Sequence, residues 1–153
     1  IFMKNAIYYF SIVALTIFTL SCKKESQKLG NVNESLADTL NYFRYQEQTL
    51  INDLKTTSGT ITLFGNKNVG TPDTLMFVFR NFNLNADAEN VDVRSVQDLS
   101  TPTSNFVSLG NLKGKSGNFL YKKVNSIDLY SAGYLLLFNS NTNEKYGHVQ
   151  WSF

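Results

Sequence analysis

The chain holds one cysteine, Cys22, and one histidine, His148, and it lacks an excess of charge of either sign. A single thiol cannot close an internal disulfide, so even in an oxidising compartment hydrophobic packing alone must hold the fold. A structural zinc cluster needs several Cys or His ligands, and Cys22 with His148 cannot supply them. Of the 14 Lys and Arg, Lys4 lies in the N-terminal segment, which leaves 13 against 12 Asp and Glu. Such a balance presents no strongly basic face to a nucleic acid and exerts no long-range pull on a charged partner.

A long hydrophobic run is missing as well. The uncharged stretch over residues 6–20, AIYYFSIVALTIFTL, is about fifteen residues long, short of the roughly 20 that a membrane-spanning helix needs. With Met3 read as the translation start and Lys4 as the n-region, the run fits the h-region of a secretory signal. Ser21 then precedes Cys22, and the chain turns polar at once with Lys23-Lys24-Glu25. This junction resembles the lipobox of bacterial lipoproteins, whose signal peptidase cuts before a diacylglyceryl-modified cysteine. Thr19 and Leu20 stand where that pattern usually has leucine and a small residue. An uncleaved anchor helix or a core cysteine are the alternatives, but only lipidation accounts for the abrupt switch at Lys23.

The resemblance implies lipid attachment at Cys22. Three acyl chains, at about 0.8 kcal/mol per buried methylene, would hold the protein firmly on its membrane. Lysine rather than aspartate after the cysteine is similar to the lipoproteins sorted to the outer membrane, facing the periplasm or the cell surface.

Removing residues 1–21 leaves 132 residues with sixteen aromatic side chains, enough for one domain with its own core. Residues 22–33 read as the lipidated cysteine and a flexible polar tether. Over residues 34–57, Leu36, Leu40, Phe43, Leu50, Ile51 and Leu54 recur at three- and four-residue spacing. That spacing predicts an amphipathic helix with Asn33 or Ser35 as its N-cap. From residue 58 to 153 the pattern changes to short β-branched and aromatic runs separated by Gly, Asn, Asp and Pro. Strands are expected near 59–64, 74–82, 91–97, 105–109, 118–124, 133–139 and 145–153.

The expected fold is therefore mainly β: an antiparallel β-sandwich or open barrel of about seven strands, preceded by one amphipathic α-helix. Leu75, Phe77 and Phe79 against Met76, Val78 and Phe82 place apolar residues on both faces of one run, as in a central strand. Val91-Asp92-Val93-Arg94 alternates, as in a strand with one wet face.

Residues 106–138 carry a more specific pattern: Leu109, Gly110, Leu112, Lys113, Gly114, Gly117 and Tyr121, then the Tyr130 segment entering an apolar strand. This pattern resembles the electron-transfer DM-thirteen domain family over roughly residues 58–153. The resemblance implies a β scaffold and a redox cysteine in the penultimate apolar strand. Here that strand reads Tyr134-Leu135-Leu136-Leu137-Phe138-Asn139 and has no thiol, so the family's proposed chemistry lacks its centre.

Other candidates carry weaker patterns. His148 is expected on a polar strand face with Tyr146, Gln150 and Ser152, solvated rather than catalytic, with no activated nucleophile motif in the chain. Asp87, Glu89 and Asp92 are hard oxygen donors without the spacing of a calcium loop. Lys113, Lys115, Lys122 and Lys123 gather around a hairpin, where they could meet phospholipid headgroups or an anionic glycan, or simply protect β edges. Asp38-Thr39-Leu40 and Asp73-Thr74-Leu75 resemble bacterial O-glycosylation triplets.

The sequence thus leads to the expectation of a non-enzymatic binding or interaction module, lipid-anchored in the bacterial cell envelope, with no cofactor, metal or nucleic acid. Its expected partners are the membrane, through the anchor, and an envelope protein or glycan. The alternative is an electron-transfer accessory that uses a bound cofactor or aromatic residues in place of the cysteine.

Overall fold

The structure, a computed structural model, describes residues 29–85, 89–124 and 133–152. Cys22, the residues before it and the Tyr130 segment lie outside the described residues. Ten strands are formed: β1 (Asn31–Asn33), β2 (Phe43–Thr49), β3 (Ile51–Asn52), β4 (Thr56–Gly65), β5 (Thr74–Asn85), β6 (Val91–Val96), β7 (Phe106–Asn111), β8 (Ser116–Val124), β9 (Tyr134–Asn139) and β10 (Glu144–Gln150). They make two five-stranded sheets, ordered β1-β8-β5-β4-β2 and β3-β10-β9-β6-β7. Every pairing is antiparallel except that of β1 with β8.

The inner faces of the two sheets share one core. Ile61, Leu63, Phe77, Phe79, Phe119 and Tyr121 from the first sheet meet Val91, Val93, Leu135, Leu137 and Val149 from the second, with Trp151 just after β10. The rings pack at close quarters, with Phe79 and Phe119 stacked at 4.9 Å and Phe82 edge-on to Phe79 at 5.6 Å. Each fully buried Phe or Leu contributes on the order of 1.5–3 kcal/mol, so this cluster replaces the disulfide that the composition rules out.

Both outer faces are covered too, which explains why several strands are apolar on two sides. Phe64, Met76 and Val78 lie under Leu36 and Tyr42 of the N-terminal segment. Val96, Leu136 and Phe138 lie under Leu99 and Tyr134. The two-faced apolar reading of residues 74–79 is thus accounted for, and β5 is central in its sheet.

Four sequence expectations are corrected. Residues 34–57 form no α-helix: a 3-10 turn over Ala37–Asn41 leads into β2 and β3. Of the six apolar residues at helical spacing, only Leu50 enters the core, while Leu40 is 87% and Leu54 57% exposed. The open edge of β4 offers a full ladder of hydrogen bonds, and pairing with it overrides the local periodicity. Residues 31–33, expected within the tether, are strand β1.

Phe82 lies on the inner face with Phe79, not on the face of Met76 and Val78. A bulge at Arg80 and Asn81 reverses the alternation, with Asn81 at φ +49°. Opposite it, Gly59 at φ +117° gives way, since a Cβ there would stand 2.9 Å from Phe82 Cα. A second bulge between Lys145 and Gly147 turns Tyr146 into the core and parts it from His148.

Two ends of the molecule can be told apart. The end of β5, the start of β6, the β7–β8 and β9–β10 connections and the turn after β3 lie at the end where β1 begins; we call it the near end. Loops 66–73 and 97–105 lie at the far end.

Candidate functional site: a glycine seat for the N-terminal strand

The glycine-rich pattern at residues 109–117 reads from sequence as a set of tight-turn residues. Its structural use is different for two of the three glycines. A Cβ on Gly114 would stand 2.7 Å from Val32 Cγ2, and a Cβ on Gly117 would collide with the Val32 carbonyl. Gly117 also has φ +115°, a conformation that L side chains rarely adopt. These bare positions form a seat in which β1 lies parallel to the start of β8, with Asn31 opposite Ser116 and Asn33 opposite Asn118. Gly110, at φ +111°, has open space around it and serves the bulge in β7.

Polar groups then lock the strand. The Lys115 amide donates to the Gly30 carbonyl at 2.7 Å, and the Glu34 amide to the Asn118 carbonyl at 2.8 Å. Asn33 Oδ1 accepts from both the backbone and the side-chain amide of Asn118 at 3.1 Å. The Asn118 Oδ1 in turn accepts from the Asn81 amide at 2.9 Å, which ties the seat to the bulge in β5. Glu34 completes the arrangement: Lys113 Nζ lies 2.7 Å from its Oε1, and the Leu120 amide donates to its Oε2 at 2.9 Å. Burial by itself raises the Glu34 pKa, but the hydrogen bonds from Lys113 and Leu120, with the Lys113 charge, outweigh it and hold the carboxyl below its ordinary value.

Beneath the seat, Leu112 is buried in the core and Tyr121 turns its hydroxyl to the backbone. That hydroxyl donates to the Asn111 carbonyl and accepts from the Lys113 amide, each at 2.9 Å. Burial pushes the phenol well above its ordinary pKa, so it stays protonated as a donor. Of the pattern's residues, Lys113, Gly114 and Gly117, with Tyr121 holding the Lys113 backbone, form the surface that receives residues 30–34.

The expected lysine cluster is broken up by this arrangement. Lys113 is paired with Glu34 and lies 5.3 Å from the Tyr121 ring, and Lys122 lies 5.3 Å from the Tyr42 ring. The acidic stretch is likewise dispersed. The Glu89 carbonyl takes a hydrogen bond from Asn139, while the Asp92 carboxylate takes Arg94 Nε at 2.8 Å and Ser108 at 2.6 Å. Asp87 lies outside the described residues.

Arg94 is a residue whose role the sequence did not reveal. Its strand face is not wet as the alternation implied: the guanidinium is buried, 4.0 Å from the Phe106 ring and 4.4 Å from that of Phe138. It also donates to the Pro102 carbonyl at 3.0 Å and Ser140 Oγ at 2.7 Å, which fastens loop 97–105 over the sheet. Only the aromatic partners at Phe106 and Phe138 could have signalled it.

His148 is not simply solvated. Its Nδ1 lies 2.8 Å from Asp53 Oδ2, and the two side chains are 12% and 20% exposed. Tyr134 packs edge-on at 5.9 Å. The pair joins β10 to the turn after the two-residue β3 and lacks any described nucleophile in hydrogen bond with it. Among the described residues no group of three or more His, Cys, Asp and Glu could hold a metal ion. The first Asp-Thr-Leu triplet lies in the exposed 3-10 turn, where Thr39 Oγ1 donates to the Leu36 carbonyl. In the second, Asp73 is paired with Lys67 and Leu75 is buried.

Comparison with protein-family models, with curated proteins and with solved structures finds no match.

Proposed function

We propose that the protein is a bacterial envelope lipoprotein, attached through Cys22 to the outer membrane, whose β domain acts as a non-catalytic binding or interaction module. The observation that carries this reading is the seat for β1. The residues most suggestive of a functional pattern, Gly114, Gly117, Lys113 and Tyr121, bind an extended segment of chain by strand addition, a carboxylate clamp and bare backbone. That segment begins a few residues after Cys22, so the arrangement suits a module displayed from a fixed anchor. Its partner is an envelope protein or a glycan.

The anchor is tested by the mass of the protein purified from envelope membranes. Acyl chains on Cys22, lost together with membrane attachment in Cys22→Ala, are expected; an unmodified terminus at Ile1 or Met3 overturns the anchor.

The resemblance to the DM-thirteen domain family keeps a second reading open, electron transfer through a bound cofactor or aromatic residues. Its support is the ring cluster of Tyr121, Phe119, Phe79 and Phe82 in the core. An ultraviolet–visible spectrum of the purified protein tests the cofactor form of the second reading: a haem or flavin band favours it, and aromatic absorption alone overturns it.

A further inference from the structure

We infer that the near end of the domain faces the bilayer, and that loops 66–73 and 97–105 are presented away from it. The inference rests on the lipid attachment proposed for Cys22, and its partner is the phospholipid surface that carries the anchor.

The argument begins with where the chain enters the domain. Leu29 packs against the core, and residues 30–34 are fixed to β8 by the Lys115–Gly30 hydrogen bond, the Asn33–Asn118 pair and the Glu34–Lys113 ion pair. The direction of β1 is set by its parallel register, with Asn31 opposite the first residue of β8. Between Cys22 and Leu29 the chain has only seven residue steps. Seven residue steps span at most about 25 Å when fully extended. The long axis of the domain is greater: the twelve residues of β5 rise about 40 Å at the usual strand spacing. An inverted domain would carry its attachment point farther from the bilayer than the tether can reach.

The test uses the acylated, full-length protein in vesicles of phosphatidylethanolamine and phosphatidylglycerol with a nitroxide on a fraction of the headgroups. Because Cys22 is blocked by its thioether, Asn141→Cys at the near end and Asn68→Cys at the far end can each be labelled with one fluorophore. Quenching at residue 141 is expected to exceed that at residue 68 several-fold, and a long Gly-Ser insertion before Leu29 is expected to erase the difference. Equal quenching, or stronger quenching at residue 68, overturns the orientation while the anchor stands. An intact mass without acyl chains overturns the anchor and the orientation together.

Discussion

The carbonyl of Val32 crosses Gly117 so closely that no side chain fits between them. Gly117→Ala adds a clash to a backbone at φ +115°, and a strained position of this kind costs about 1–3 kcal/mol. The expected outcome is loss of β1 from the sheet edge, seen as faster hydrogen exchange at the Lys115 and Glu34 amides and a lower urea midpoint. Gly110→Ala, where no neighbour stands near, is expected to show the backbone strain without the loss of β1 protection.

Glu34 gives the β1 seat a dependence on acid. Its carboxyl is held below the ordinary value of 4.5 in the folded protein, so its stabilising effect is complete above the unfolded pKa and fades as pH falls through the folded one. Exchange protection of β1 is expected to weaken below about pH 4.5 and to respond less to acid in Glu34→Gln. The side chains are about one-third exposed, so the loss at neutral pH is expected near the 0.2–1 kcal/mol, roughly, of a surface pair. Amide exchange followed from pH 6 to pH 3 in both proteins reads this directly.

Arg94→Ala removes the group that neutralises Asp92, whose side chain is 16% exposed. Breaking a buried pair from one side costs about 3–5 kcal/mol because a charge remains without its partner. Equilibrium unfolding in urea is expected to show that loss. Replacing both residues, as Asp92→Asn with Arg94→Met, is expected to restore a large part of it.

Ser95 has a buried hydroxyl with no hydrogen-bond partner among the described residues. A buried unsatisfied group costs about 1–3 kcal/mol, so Ser95→Ala is expected to raise stability by roughly 1 kcal/mol. A change of opposite sign in the thermal midpoint would show that the hydroxyl is engaged in solution.

The seven expected strands all correspond to β4 through β10, because Leu75 to Phe79 and Leu135 to Phe138 are runs that only a strand covered on both faces accommodates. What the sequence concealed was β1 to β3. Their residues make few core contacts, and the identity of β2 comes from the vacant edge of β4, a fact stored far along the chain. The alternation also misled at two bulges, since one extra residue at Asn81 or Tyr146 changes which face every later side chain occupies. The importance of Gly114 and Gly117 was legible, but their function was not: only the presence of Val32 shows what the missing side chains make room for.

The pairing of β1 with β8 joins residues 85 positions apart, so it cannot form until the chain has been made through β8. On the proposed anchor, a chain still unfolded would carry its slack between Cys22 and the sheet. On that anchor, closure of β1 would take up the slack, so the seating of one short strand would also draw the module toward the membrane.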